Sequence, residues 1–224
     1  MKNFYIQVKK IIDLSLKNKK FLKTKQDKSM LTNNDLIIQK KIISLIKKFY
    51  PDVKQFICEE NFSKNTFKKI NFNSPYAIID PIDGTENFFA ESEMFGTLIS
   101  INSKSKIKLD LIYLPKHNLM ITRDNIKRIF KKAKKENKIT LLSTKCLSSK
   151  HIGSQYRIYG SSAYSFYKFI IGEAKEYIYC DGAKIWDCFT GLRLSSLLKS
   201  QVRIEKPNWI NEPTYKTKFR LKWI

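Results

Sequence analysis

Two carboxylates three residues apart, on either side of a proline and followed by glycine, can do metal and phosphate chemistry. Such a group lies between Tyr76 and Phe89, with Asp80, Pro81, Ile82, Asp83, Gly84 and Thr85 at its centre. The apolar, β-prone run Tyr76, Ala77, Ile78 and Ile79 reads as a buried strand that ends on Asp80. Pro81 stiffens the corner, so Asp80, Asp83 and the Ile82 carbonyl can aim oxygens at one hard cation. Gly84 lets the backbone approach an anion, and the amides of Gly84 and Thr85 can donate to phosphate oxygens. Between Tyr76 and Phe95 there are five acids and no Lys or Arg, a local reversal of sign in a chain of net charge +23. A lone Asp-Gly pair is an ordinary turn; the whole run reads as a site.

Other acids have plainer explanations when taken singly. Asp35 stands three residues after Thr32 and completes a capping box. Glu59 and Glu60 follow a short apolar segment, Phe56 to Cys58, and read as a solvated pair. Asp187 lies in the first turn of a helix, where the helix dipole favours it. Ser161, between Gly160 and Ser162, reads as a helix cap, and the same turn suits an anion or hydroxyl ligand.

Together these residues resemble a known family. The run Asp80 to Phe88 is similar to the first signature of the inositol monophosphatase family of magnesium-dependent, lithium-sensitive phosphatases. Glu59 with Glu60, and Trp186 with Asp187, stand in the expected order, and the resemblance reaches from the first helix to near Ser200. It implies an α/β fold, a layered α-β-α-β-α sandwich of mixed sheets and helices, with the site at strand ends beside two helix N-termini. It further implies two or three Mg²⁺ ions held by Glu59, Asp80, the Ile82 carbonyl, Asp83 and Asp187. Catalytic roles fall to Glu59, Thr85 and Asp35, with Asp35 orienting the Thr85 hydroxyl towards the attacking water. Substrate contacts fall to Asp83, Gly84, Thr85, Gly160, Ser162 and Asp181. The chain departs from the family in having Cys58 before the acidic pair, Phe189 and Thr190 in place of two small residues, and Cys180 where an acid is usual, with Asp181 one position on. A Gly-rich hairpin is absent from its middle.

The elements that must position these groups are legible as periodicities. Phe4, Tyr5, Val8, Ile11, Ile12 and Leu16 predict an amphipathic helix over residues 3–17, and Leu36 to Phe49 predict a second, stopped by Pro51. Residues 95–103, 106–114 and 119–122 predict strands of a larger sheet. A surface helix is expected over 124–138, strands over 139–143 and 156–159, a helix from Gly160 to Gly172, a core strand over 176–180, and a final helix from Trp186. Lys17 to Lys28 reads as a basic connection, and the tail after Lys206 has no functional account.

Composition sets bounds. The chain has 224 residues, 42% hydrophobic and 13% aromatic, which excludes disorder and fits one domain over 1–224, trimmed in its middle and at its C-terminus. A pI near 9.8 invites nucleic acid as a partner, but the lysines are spread along the chain and read first as solvated surface. Four scattered cysteines and two distant histidines argue against zinc and for reduced thiols in the cytoplasm. No signal peptide or membrane-spanning run is read, so no membrane partner is expected. The resemblance points to a phosphate ester as substrate, inositol monophosphate or another sugar phosphate first. A 3′(2′),5′-bisphosphate nucleotidase is second, and a non-catalytic RNA- or polymerase-associated regulator is third. Homodimers are common in the family.

Overall fold

The computed structural model describes all residues except 18, 26–28, 104–105, 132–136, 147–154, 199–201, 206–213 and 224. In chain order the elements are α1 (Lys2–Ser15), β1 (Phe21–Thr24), β2 (Met30–Thr32), α2 (Asn33–Phe49), β3 (Gln55–Cys58), α3 (Lys64–Lys68), β4 (Tyr76–Asp83) and α4 (Thr85–Phe89). Then come β5 (Gly96–Ser103), β6 (Lys106–Leu114), β7 (Leu119–Thr122), α5 (Ile126–Ile129), β8 (Thr140–Leu142) and β9 (Tyr156–Arg157). The chain ends with α6 (Ser162–Ile170), β10 (Glu176–Lys184), α7 (Ile185–Ser196), β11 (Val202–Glu205) and β12 (Lys216–Trp223).

Two five-stranded mixed sheets follow from the pairing, one in the order β3-β4-β5-β6-β7 and one in the order β11-β12-β10-β8-β9. β4 is buried at every position, as a strand covered on both faces must be. One face, with Ala77 and Ile79, packs on Phe4, Val8 and Ile12 of α1 and Ile38, Ile42 and Ile46 of α2. The other, with Tyr76 and Ile78, packs on α6 and α7, which also meet the second sheet through Tyr177, Phe219 and Leu221. Each such side chain contributes about 1.5–3 kcal/mol by leaving water. Helices and mixed sheets therefore alternate in layers, the α/β sandwich expected. Close approach of α6 to α7 rests on Gly191, where a Cβ would stand 2.2 Å from the Phe166 ring.

Four expectations need correcting. The helix over 124–138 is one turn, Ile126–Ile129. Phe130 turns to pack on Trp223, ring centroids 5.1 Å apart, and the Lys131 amide donates to Ile170 O at 3.1 Å, so tertiary partners replace the helical ones. Residues 132–136 lie outside the described residues. The basic connection contains the antiparallel hairpin of β1 and β2. The tail supplies β12, which lies between β10 and β11 through alternate burial of Phe219, Leu221 and Trp223. Finally, Cys146 and Cys180 form a disulfide, where four free thiols were expected; Cys58 and Cys188 are free and buried.

Candidate metal centre and substrate cleft

Parallel pairing of β3 with β4 sets Cys58 opposite Ile79, so the next residues, Glu59 and Asp80, leave adjacent strand ends together. Asp80 and Asp83, three apart, would point to opposite faces of a regular strand. The β4–β5 register shifts between them, and Pro81, which has no N–H to give the ladder, sits in the irregularity. Thr97 Oγ1 donates to the Pro81 carbonyl at 2.7 Å and fixes the corner. The third acid, Asp187, comes from the first turn of α7, where it accepts from the Lys184 amide at 3.1 Å. As a result ligand atoms of Asp80, Asp83 and Asp187 lie within 4.8 Å of one another.

Burial and like charge work in the same direction here. Burial, then Glu59, Asp83 and Asp187, push the Asp80 carboxyl well above its usual range. Asp187 is raised by burial and by Glu59 and Asp83. Asp83 is raised to about 6, by burial, against the stabilising bonds it accepts. Those bonds come from the Ser161 hydroxyl and from the Ala163 amide at 2.6 Å, so Asp83 caps the start of α6. Asp80 Oδ1 is buried with no hydrogen-bond partner. A buried acceptor left over within a set of oxygen-only ligands fits a hard divalent cation such as Mg²⁺.

Around this cluster the expected residues take up defined positions. Asp35 accepts from the amide and hydroxyl of Thr32, at 2.7 and 2.6 Å, as the capping box requires. Its other oxygen lies 3.3 Å from Thr85 Oγ1, which is also 3.0 Å from the Ile82 carbonyl. Burial raises the Asp35 carboxyl to about 6, against the Thr32 bonds that lower it. Gly84 has φ 86°, and a Cβ there would meet Ser161 Cβ at 2.9 Å, so only glycine lets α4 start this close to α6. Gly160 and Ser162 line the same cleft, held by Asn87, whose Nδ2 donates to the Tyr159 carbonyl at 2.6 Å. Ser161 is the cap of α6, accepting from the Tyr164 amide at 3.1 Å. Asp181 falls within β10; its side chain lies outside the described residues.

Some residues at the site carried no sequence signal. Lys25, beyond β1, bridges Glu59 and Glu60 at 2.8 Å each. Burial works to lower its ammonium pKa, but the two carboxylates raise it overall. Glu60 is raised to about 7, by burial first and then by Glu59. Lys184 and Lys216 enter the cleft wall together because β10 pairs with β12, a register that nothing in the local sequence announces.

The layered sheets and the acidic cluster define a class of protein. A solved IMPase/NADP phosphatase complexed with Mg²⁺ and phosphate superposes with a TM-score of 0.76 at 18% identity, over 98% of this chain and 87% of that one. The sequence model of the inositol monophosphatase family matches residues 3–136. The chain belongs to that family. The 3′(2′),5′-bisphosphate nucleotidase CysQ of Haemophilus influenzae is 30% identical over 91 residues, 41% of this chain and 33% of that protein. Human inositol monophosphatase 1 is 36% identical over 84 residues, 38% of this chain and 30% of that protein. These matches span about a third of the length of the relatives. No helix among the described residues is long and apolar enough to cross a membrane.

Proposed function

We propose that the chain is a Mg²⁺-dependent phosphomonoesterase that hydrolyses a small phosphate ester. The observation that carries this reading is the convergence of Asp80, Asp83 and Asp187, with a buried, partnerless oxygen on Asp80. Asp80, Asp83 and Asp187, with Glu59 and the Ile82 carbonyl beside them, would hold the cation. Bound Mg²⁺ supplies a Lewis acid and lowers the pKa of water. The chain's own groups do the rest. The Thr85 hydroxyl, between Asp35 and the Ile82 carbonyl, orients the attacking water and passes its proton towards Asp35. The amides of Gly84 and Thr85 face the ester phosphate. Asp83, fixed by Ser161 and Ala163, keeps its carboxylate at one angle, which is what positioning contributes to catalysis. No thiol or imidazole is asked to act: Cys188 is buried with its pKa pushed up, by burial first.

The run from Asp80 to Phe88 favours inositol monophosphate or another sugar phosphate as the ester. The test is phosphate release from inositol 1-phosphate and 3′-phosphoadenosine 5′-phosphate, with and without Mg²⁺, by wild type and Asp83→Asn. Mg²⁺-dependent release that falls at least about a hundredfold in Asp83→Asn supports the site. Release unaffected by the substitution refutes it.

A further inference from the structure

The cleft beside the acidic cluster has a volume of about 620 Å³, and its walls come from different sheets. Glu59, Asp80 and Asp83 stand at the ends of β3 and β4 in the first sheet. Leu142, Ser143 and Thr144, at the end of β8, and Tyr179 and Gly182, in β10, belong to the second.

This second wall lies where the ladders of its sheet give out. Parallel pairing of β10 with β8 runs from Glu176 opposite Thr140 to Ile178 opposite Leu142 and ends there. Antiparallel pairing with β12 shifts register between Tyr179 and Ala183. Gly182 lies in that gap with φ 72°, and a Cβ there would meet nothing within 4 Å. A bulge and a strand-end turn with few ladder bonds are the parts of a fold that open most easily.

The Cys146–Cys180 disulfide crosses at this place. Cys146 ends the turn that follows Ser143, and Cys180 lies in the bulge between Tyr179 and Gly182. The Cys180 amide donates to Cys146 Sγ at 3.1 Å, and the Ser143 amide donates to the Ile178 carbonyl at 3.1 Å. A covalent link between residues 34 apart removes much of the freedom this wall would otherwise have. The acids are tied elsewhere. α7, which carries Asp187, is held to the first sheet by Thr190 on Ser100 at 2.9 Å and Arg193 on Asp110 at 3.2 Å.

We propose that the Cys146–Cys180 disulfide positions the second-sheet wall against the alcohol part of the ester, and that a dithiol reductant releases this grip. This rests on the phosphomonoesterase reading and adds control of the same cleft. Cys180 is half-buried and Cys146 fully buried, so an incoming thiolate reaches Cys180 Sγ. A mixed disulfide forms there, and Cys146 leaves as a thiolate and takes up a proton. The reagent's second thiol closes its own disulfide and frees Cys180, so two electrons pass from the dithiol to the protein.

The test compares oxidised wild type, wild type reduced with dithiothreitol and desalted under argon, and Cys146→Ala combined with Cys180→Ala. Reduction needs no substitution, so the outcome does not hang on the variant folding. KM and kcat for inositol 1-phosphate are measured with Mg²⁺ present, and Mg²⁺ affinity by calorimetry. Amide exchange over residues 142–146 and 179–182 is followed by mass spectrometry. Reduction should raise KM about tenfold, the size of ordering one or two side chains on binding, and leave kcat and Mg²⁺ affinity near their oxidised values. Exchange over both segments should speed up, and the double variant should match the reduced protein with or without dithiothreitol. Equal KM in the two states, equal exchange, or a Mg²⁺ affinity that falls together with substrate affinity overturns the proposal. If no ester is turned over in either state, the phosphomonoesterase reading fails, and the exchange rates still decide whether the disulfide holds the wall.

Discussion

Two groups of buried charge lie on either side of α7, and they are built on opposite plans. At its N-terminus Asp187 joins Asp80 and Asp83, acid against acid, with Lys184 a weaker counterweight to Asp187. Further along the same helix Arg193, 2% exposed, pairs with Asp110, which is fully buried, at 3.2 Å. Asp110 also takes Arg123 at 3.0 Å and the Ser100 hydroxyl at 2.7 Å, and Ser100 in turn meets Thr190 at 2.9 Å. Arg193 donates to Asn102 as well and lies over the Phe189 ring at 4.9 Å. Burial raises the Asp110 carboxyl, but Arg193, Ser100 and Arg123 all pull it back. Around Asp80 the burial effect is joined by three more acids instead. Balanced buried charge fixes the roll of α7 on the sheet. Unbalanced buried charge costs the fold more than the caps on α6 and α7 return, and its oxygen-only ligand set is the chemistry that a divalent cation takes.

The comparison can be broken by substitution. Asp110→Asn strands Arg193 and should cost about 3–5 kcal/mol in denaturant unfolding. Converting both partners, Asp110→Leu with Arg193→Met, should recover most of that loss. If Asp110→Asn unfolds at the wild-type midpoint, the network does not hold α7. Acidity sharpens the contrast next. Unfolded carboxyls titrate near 4, while Asp35 and Asp83 are raised to about 6 and Glu60 to about 7. The folded state therefore binds more protons across this window. Its extra stability is complete below about pH 4 and is lost as pH rises through 6 to 7, on the order of 3 kcal/mol for each carboxyl at about 1.4 kcal/mol per pKa unit. Unfolding in chelator at pH 5 and pH 7.5 reads that loss, and saturating Mg²⁺ should remove the share that belongs to Asp83; equal stability at both values contradicts the electrostatic account.

A smaller effect has the opposite sign to that at Asp110. In metal-free protein at neutral pH, Asp80→Asn removes one unbalanced acid and should raise stability by about 1 kcal/mol, while Mg²⁺ affinity measured by calorimetry falls. A lowered melting temperature would show that Asp80 also supports the fold. Least perturbing of all is a thiol titration in denaturant without reductant, which should find two free cysteines, Cys58 and Cys188. Finding four would dissolve the Cys146–Cys180 link.

Much of the candidate site's local geometry was legible because its residues bond to near neighbours in the sequence. Asp35 caps α2 through Thr32, three residues away, and Ser161 caps α6 through Tyr164. Asp80, Pro81 and Asp83 define their own corner. Lys25, Lys184 and Lys216 were not legible, because their places depend on a hairpin and on the pairing of β12 with β10. Alternation of Phe219, Leu221 and Trp223 was the available clue to β12, and it lay in a segment that otherwise reads as a basic tail. The overlong helix over 124–138 failed for a related reason. Its periodicity is real, but Phe130 and Lys131 find partners on Trp223 and α6 that a helical continuation would forfeit.

The Ser161–Asp83 bond joins residues 78 apart in sequence, and Asp187 arrives later still. Contacts this distant form late in folding, after much loop-closure entropy has been lost. The chain should therefore pass through states with β4 already paired yet little grip on a divalent ion. A cation held by Asp80, Asp83 and Asp187 would then bind only after α6 and α7 dock, and an ion-sensitive probe would report completion of the fold more sharply than any measure of secondary structure.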